Sequence, residues 1–273
     1  MGLMQRCSYV TMALDLPLSN GAAMNQFKRV ASWLKQSRGA VAFTGAGIST
    51  ESGIPDFRSP GGIWSRSQPV YFDDFLASEA ARLEYWHQKA AAHQDFFQAR
   101  PSTGHQILAA WQAAGRLRAL ITQNIDGLHQ LAGSTDVVEL HGTARYIACL
   151  SCGQRSDADP LVRQFLASQE VPGCQACGGL LKHATISFGQ ALEPSVLSRA
   201  AELAEQTDLL LVMGSSLVVY PAASLPETAM LHGARLVIVN RDPTPYDERA
   251  DVVIHDSIGS TLTEIDRCLA TLP

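Results

Sequence analysis

An α/β fold, with a Rossmann-like parallel sheet, helices on both of its faces and a small inserted cysteine-bearing domain, is what this sequence predicts. Three observations carry the prediction. Short aliphatic or β-branched runs alternate with helix-period segments, the pattern of a parallel sheet joined by helical crossovers. Each such run is followed at once by small or polar residues, which a parallel sheet collects along the edge where open α/β folds bind ligands. The alternation breaks over residues 145–183, a loop-like stretch that holds four of the chain's six cysteines.

In chain order, residues 1–23 read as a disordered extension. They lack the charged start, apolar centre and small-residue cleavage site of a secretory signal, and Arg6 replaces the Ser or Thr of a myristoylation site. A few basic residues and a scarcity of acids keep a transit-peptide reading open, against which Leu16-Pro17 interrupts helix periodicity; Met24 is an alternative start. Residues 25–36 repeat apolar side chains at helical spacing, and residues 40–44 form the first apolar run, short enough for a buried strand. Residues 54–71, rich in Gly, Pro and Ser, form a long loop. Helical spacing returns over 77–98 and 103–114, followed by strands at 119–122 and 136–140. Beyond the cysteine-bearing stretch, helices at 194–205, 221–231 and 260–270 alternate with strands at 209–213 and 236–239.

Composition narrows the function. With 273 residues, 46% of them hydrophobic and 17% charged, the chain can bury a sizeable core as one large domain or two unequal ones. A formal net charge of −5, with no Lys/Arg cluster interleaved with aromatics, argues against direct nucleic-acid binding. No apolar run approaches the roughly 20 residues needed to span a bilayer, which argues against a membrane role.

Cysteine spacing points to a metal. Cys149 with Cys152, and Cys174 with Cys177, form two C-x2-C pairs at a separation close to that of a zinc ribbon. Four thiolates close a tetrahedral shell, so one Zn2+ here is structural and holds together a module poor in apolar residues. Two disulfides, or a redox pair, are the alternatives. Cys7 and Cys268 lie near the ends as bystanders, and the whole pattern is unlike a secreted disulfide framework, which points to a reducing, cytoplasmic compartment.

Five strand exits hold the polar candidates: Gly45-Ala46-Gly47, Gln123-Asn124-Ile125-Asp126, His141-Gly142, Gly214-Ser215-Ser216 and Asn240-Arg241-Asp242. The first reads as a dinucleotide-binding turn, its glycines permitting close approach to a pyrophosphate. Thr50 stands in place of the usual third glycine, and a plain strand-exit turn explains this piece equally well. His141 is the candidate general base, because it follows a strand and so sits at the ligand edge, and an imidazole of ordinary pKa, about 6.5, accepts a proton at neutral pH. The other seven histidines read as surface or satisfied core residues.

Residues 44–58, Thr-Gly-Ala-Gly-Ile-Ser-Thr-Glu-Ser-Gly-Ile-Pro-Asp-Phe-Arg, closely resemble the NAD-binding signature of the sirtuin family. The resemblance continues in family order through residues 123–129, Glu139-Leu140-His141-Gly142, both cysteine pairs, residues 214–217 and Val239-Asn240, covering residues 40–256. It implies a catalytic domain over 24–273 with the zinc module at about 145–183. It also implies an NAD-dependent protein-lysine deacetylase or deacylase, with acyl-lysine proteins as substrates and NAD consumed as co-substrate. By the same resemblance, the acyl oxygen attacks the ribose carbon bearing nicotinamide, which leaves as an alkylamidate forms; His141 activates a ribose hydroxyl that attacks the amidate carbon, and water completes the sequence to free lysine and acylated ADP-ribose.

The same resemblance places Asn124 and Asp126 at the nicotinamide pocket with Ile54 and Asp56 on its carboxamide. Phe57 shields the ribose and Arg58 contacts the cofactor. Gly45, Ala46, Gly47, Thr50, Gln123, Ile125 and Gly214 belong to the NAD site, while Ser215, Ser216, Asn240 and Arg241 hold its adenosine half. Ile186, Phe188 and Gly189 fall in a segment, 185–190, that pairs with the substrate backbone as an added strand. His183 stands where a proline is common and Gln190 where a glutamate is frequent. Family members that favour acidic acyl chains carry a Tyr and an Arg three residues apart; residues 85–89 here read Tyr-Trp-His-Gln-Lys, so the expectation is a neutral acyl group. An ADP-ribosyltransferase on the same pocket, and a non-catalytic NAD or ADP-ribose sensor, are the other readings.

Overall fold

The computed structural model of the chain describes residues 20–56, 59, 62 and 68–273. Among them the strands are β1 (Val41–Thr44), β2 (Ala119–Thr122), β3 (Val137–Glu139), β4 (Gly142–Cys149), β5 (Arg155–Asp157), β6 (Leu181–Thr185), β7 (Leu209–Met213), β8 (Arg235–Val239) and β9 (Val252–Ile254). The helices are α1 (Asn20–Gln36), α2 (Phe72–Ala77), α3 (Glu79–Gln98), α4 (Thr103–Ala113), α5 (Leu128–Leu131), α6 (Ala158–Ser168), α7 (Pro194–Gln206), α8 (Leu225–Leu231) and α9 (Ile258–Thr271).

Six strands form one sheet in the order β3-β2-β1-β7-β8-β9, every pair parallel. Side chains alternate between its faces, so an all-aliphatic strand feeds two cores at once. Ala42, Leu120, Leu211 and Val237 pack with Val30, Leu34, Trp111 and Leu262 from α1, α4 and α9. Val41, Phe43, Ile121, Val212 and Ile238 pack with Leu203, Leu225 and Ala229 from α7 and α8. The strand order reverses between β1 and β7, and such switch points are where open α/β sheets admit ligands.

A second, antiparallel sheet, β5-β4-β6, belongs to the inserted module. The sequence reading made residues 145–183 loop-like, and the structure corrects it, for β5, α6 and most of β4 and β6 lie there. Pro160 misleads: it sits in the first turn of α6, where its missing N–H is no loss. The module's Ile147, Val162, Phe165 and Leu181 pack with Phe75, Tyr85 and Trp86 from α2 and α3, and Trp86 Nε1 donates to Leu181 O at 3.3 Å. Its core is therefore completed from outside its own segment.

Helix boundaries also shift: the helix expected over 221–231 begins at Leu225, behind a 3-10 turn over Ala222–Ser224. The structure starts α1 at Asn20, taking residues 20–23 from the expected extension; residues 1–19 lie outside the described residues. The helix expected over 77–98 is two, because Ser78 is extended and caps α3 by accepting from Ala81 N at 3.3 Å. Strand β9 was not foreseen: three residues are too short a run to stand out.

Candidate active site

At the switch point the exits of β1 and β7 touch backbone to backbone. A Cβ on Gly47 would stand 2.6 Å from Gly214 Cα, and one on Gly214, whose φ is +64°, only 2.5 Å from Ile48 N. The packing of the two exits is thus enough to require glycine at both positions, whatever binds above them. A cavity of 460 Å³ opens along this edge. Gly45, Ala46, Gly47, Thr50, Asp56, Gln123, Asn124, Ile125, His141, Gly214, Ser215, Ser216, Asn240 and Arg241 line it, and Ile186, Phe188 and Gly189 close it from beyond β6. Asp126 lies behind, in a small adjoining pocket shared with Ile54, Asn124 and Ile125. Phe57 and Arg58 lie outside the described residues.

His141 leaves β3 one residue past Leu140 and is half-buried. Its Nδ1 lies 3.0 Å from Gln123 O, and since a carbonyl only accepts, Nδ1 carries the proton and Nε2 is left as the acceptor. Burial lowers its pKa below the ordinary imidazole value, against the raising effect of that hydrogen bond. The ring is therefore neutral at physiological pH and fit to take a proton.

Beneath the cavity a polar network fixes the second strand exit. Ser49 Oγ donates to Asp126 Oδ2 at 2.7 Å and accepts from Asn124 Nδ2 at 3.1 Å, while Leu128 N donates to Asp126 Oδ1 at 2.8 Å. Arg145, from β4, donates to the carbonyls of Asp126 and Phe96 and so ties the module to this exit and to α3. Gln123 Nε2 reaches Ser215 Oγ at 2.8 Å, linking the exits of β2 and β7. Thr50 is held by its own turn, donating to Gly47 O at 2.9 Å, and Asp56 accepts from Ser59 N at 2.7 Å. Asn240 Nδ2 donates to Asp242 O at 2.6 Å.

His129 and His105 are buried outside the cavity lining, and each keeps one ring nitrogen, His129 Nδ1 and His105 Nε2, without a hydrogen-bond partner, so neither is a fully satisfied core residue. Their ring centroids lie 4.7 Å apart with the planes tilted by 57°, His129 Nε2 bonds Thr44 Oγ1 at 2.9 Å, and His105 Nδ1 bonds Ser102 Oγ at 2.8 Å. Burial pushes their pKa values to about 3 and about 4.

Among the acidic lining residues, Asp242 stood in the strand exit Asn240-Arg241-Asp242, whereas Glu51 and Asp256 were not candidates in the sequence. Glu51, Asp242 and Asp256 bring carboxylates to the cavity, and Glu51 also accepts from Gly259 N at 2.9 Å. The sheet order puts the exits of β8 and β9, which lead to Asp242 and Asp256, along this edge. From α3 come Tyr85, Gln88, Lys89 and His93, and from beyond β7 come Val219 and Tyr220. No motif marks them. The segment past β6 is anchored by Ile186 N donating to His141 O and Phe72 N to Phe188 O, both at 2.9 Å.

Away from the cavity, the Sγ atoms of Cys149, Cys152, Cys174 and Cys177 all lie within 4.8 Å of one another, with Cys149–Cys177 at 3.5 Å and Cys152–Cys174 at 3.7 Å. Four ligands tetrahedral at the Zn–S length of about 2.3 Å stand about 3.8 Å apart, so this thiol set fits one zinc ion. All four are free of disulfides.

Comparison with known proteins gives one consistent picture. The family model described as "Sir2 family" matches residues 45–221. A relative from Rhodopseudomonas palustris, named NAD-dependent protein deacetylase, is 53% identical over 224 residues, covering 81% of this chain and 88% of its own. Two solved structures, one of Sir2 with a p53 peptide and NAD+ and one of Sir2 bound to an acetylated peptide, each superpose with a TM-score of 0.80 at 36% identity. Each match covers 88% of this chain and 97% of the other.

Proposed function

The chain belongs to the Sir2 family, and on that premise we propose that His141 is the general base of a reaction run in the cavity at the sheet's carboxyl edge. The protein is an NAD-dependent protein deacetylase. It moves the acyl group of a protein lysine to ADP-ribose, releasing nicotinamide and free lysine. The observation that carries the assignment of His141 is its tautomer. With Nδ1 committed to Gln123 O, Nε2 is the acceptor on a neutral ring, ready for the proton of a ribose hydroxyl.

The other residues divide by strand exit. Asn124, Asp126 and Asp56 hold nicotinamide, with Ser49 fixing the first two. Gly45, Ala46, Gly47, Thr50, Gln123, Ile125 and Gly214 shape the central part of the NAD site. Ser215, Ser216, Asn240 and Arg241 hold the adenosine half, where Glu51, Asp242 and Asp256 add acceptors for ribose hydroxyls. Ile186, Phe188 and Gly189 receive the substrate backbone as an added strand. The catalytic unit runs from α1 to α9, with the zinc module inserted between β3 and α7. Cys149, Cys152, Cys174 and Cys177 hold one structural zinc, which closes the fold of the module and leaves no open position for catalysis. Four uncombined thiols suit a reducing compartment, the cytoplasm.

Product analysis tests the reading. With NAD and an acetyl-lysine peptide, the expected products are deacetylated peptide, nicotinamide and acetyl-ADP-ribose in equal amounts. A peptide that keeps its acetyl group and gains ADP-ribose would assign the transferase instead.

A further inference from the structure

The loop that carries Asn124 and Asp126 is fastened at both ends to one buried hydroxyl. It leaves the sheet at Thr122, the last residue of β2, and runs to His129 on α5. Thr122 is the register partner of Thr44, the last residue of β1, and Thr44 Oγ1 donates to Thr122 Oγ1 at 2.8 Å. The same Thr44 hydroxyl meets His129 Nε2 at 2.9 Å. Thr122 Oγ1 also accepts from Asn124 N at 3.1 Å, and Gln123 N donates to Thr44 O at 2.9 Å. Thr44 therefore holds the loop by side chain and backbone alike.

A hydroxyl has a single proton. Thr44 directs its own at Thr122, so towards His129 it accepts, and His129 Nε2 carries the ring proton. Burial keeps that ring neutral, which leaves Nδ1 a bare acceptor without a partner. His105 does not relieve it by a hydrogen bond: Ser102 N donates to His105 Nδ1 at 3.2 Å, and His105 Nε2 has no partner either. The bond to Thr44 is thus the one hydrogen bond that the His129 ring makes among the described residues. A buried polar atom left unpaired costs stability, so an apolar side chain of similar size would pack here at lower cost. What it could not supply is the N–H for Thr44.

Thr44, Thr122 and His129 are each at most 2% exposed and line neither the large cavity nor the small pocket beside it. Asn124 lines both, and Asp126 lines the smaller. The three buried residues can reach bound molecules only through the loop that they fasten.

We propose that Thr44, Thr122 and His129 are positioning residues of the reaction, a relay of hydrogen bonds that fixes the Asn124 peptide against the sheet and so sets how Asn124 and Asp126 meet nicotinamide. The proposal rests on the reading that these two side chains hold nicotinamide. Displacement of a positioned group by about 1 Å is enough to cost up to roughly a hundredfold in rate.

The test compares Thr44→Val, which keeps the branched shape and loses the hydroxyl, with Thr44→Ser, which keeps the hydroxyl. Thr44→Val should raise the inhibition constant of nicotinamide roughly tenfold, the scale of one buried hydrogen bond, and lower kcat/KM for NAD by at least as much. Calorimetric binding of ADP-ribose, which lacks nicotinamide, should stay within about twofold, well inside the scale of a lost hydrogen bond. Thr44→Ser should match the natural protein in all three. Thr122→Val and Thr122→Ser repeat the comparison from the neighbouring strand should Thr44→Val fail to fold. An unchanged nicotinamide constant in the valine variants overturns the proposal. So does a parallel loss of ADP-ribose affinity, which marks a general collapse of the site, or a serine variant as impaired as the valine one. A natural protein that deacetylates but is not inhibited by nicotinamide overturns the nicotinamide reading of Asn124 and Asp126 instead.

Discussion

His141 and Ser49 show how differently two residues of one site can be read from sequence. His141 announces itself, because a histidine directly after a short apolar run and before a glycine must stand at the exit of a strand. Its depressed pKa gives a direction for pH dependence: the neutral base is present above the ordinary imidazole value and is lost as pH falls below it. We therefore expect kcat/KM to be flat from about pH 7 upward with respect to this group, with an acid limb whose midpoint lies below about 6.5. A midpoint above that value would contradict a desolvated base. Ser49 carries no such signal, since a serine in a Gly/Ser/Thr-rich turn looks like any other, yet it bonds both Asn124 and Asp126. Ser49→Ala leaves two buried groups each short of a partner, and the expected result is about 2 kcal/mol lost from stability with roughly tenfold lower kcat/KM for NAD. Denaturant unfolding and initial rates check the two halves. Tyr85 and Lys89 were visible as letters, but that they share a cavity wall with His183 depends on how α3 meets β6, which no local pattern states.

Elements were legible in proportion to how far their burial is local. β2 and β7 fall where their aliphatic runs place them, and β1 starts one residue late, because strands buried on both faces are apolar throughout. The module was the opposite case. β4 and β6 are interrupted by Arg145, Tyr146, Lys182 and His183, and their core is shared with Trp86, so periodicity within the segment is weak. The junction of β1 and β7 yields a test at this scale. Gly214→Ala forces a Cβ onto the Ile48 amide at a positive φ, and we expect a loss of about 3 kcal/mol or more, seen as a fall in Tm of roughly 6–12 °C. A change within a degree or two would show that the two exits yield freely. The cysteine site gives another: a strong chelator should abolish hydrogen-exchange protection in β4, β5 and α6 while β1, β2 and β7 stay protected, because the large sheet has its own two cores.

At the scale of the whole molecule, the module's sheet packs against α3, and three neutral histidines are buried in the interior. His105, His129 and His183 have pKa values held to about 4, 3 and 3, each chiefly by burial. Unfolding raises each towards about 6.5, so the unfolded chain binds more protons below that pH, and stability is full above it and falls as pH drops. The expected loss approaches about 1.4 kcal/mol per pH unit for each histidine between roughly pH 6 and 4, read from denaturant midpoints. On the proposed reading the architecture also sets the chemistry: the exits of the large sheet hold NAD, the segment past β6 takes the substrate, and His141 stands where β3 passes into β4. The most direct test of that arrangement is mass spectrometry of an acetyl-lysine peptide incubated with NAD and either the natural protein or His141→Ala. The account requires acetyl loss matched by nicotinamide release with the natural protein, and at least about a hundredfold slower acetyl loss with the variant. Undiminished deacetylation by His141→Ala would contradict it.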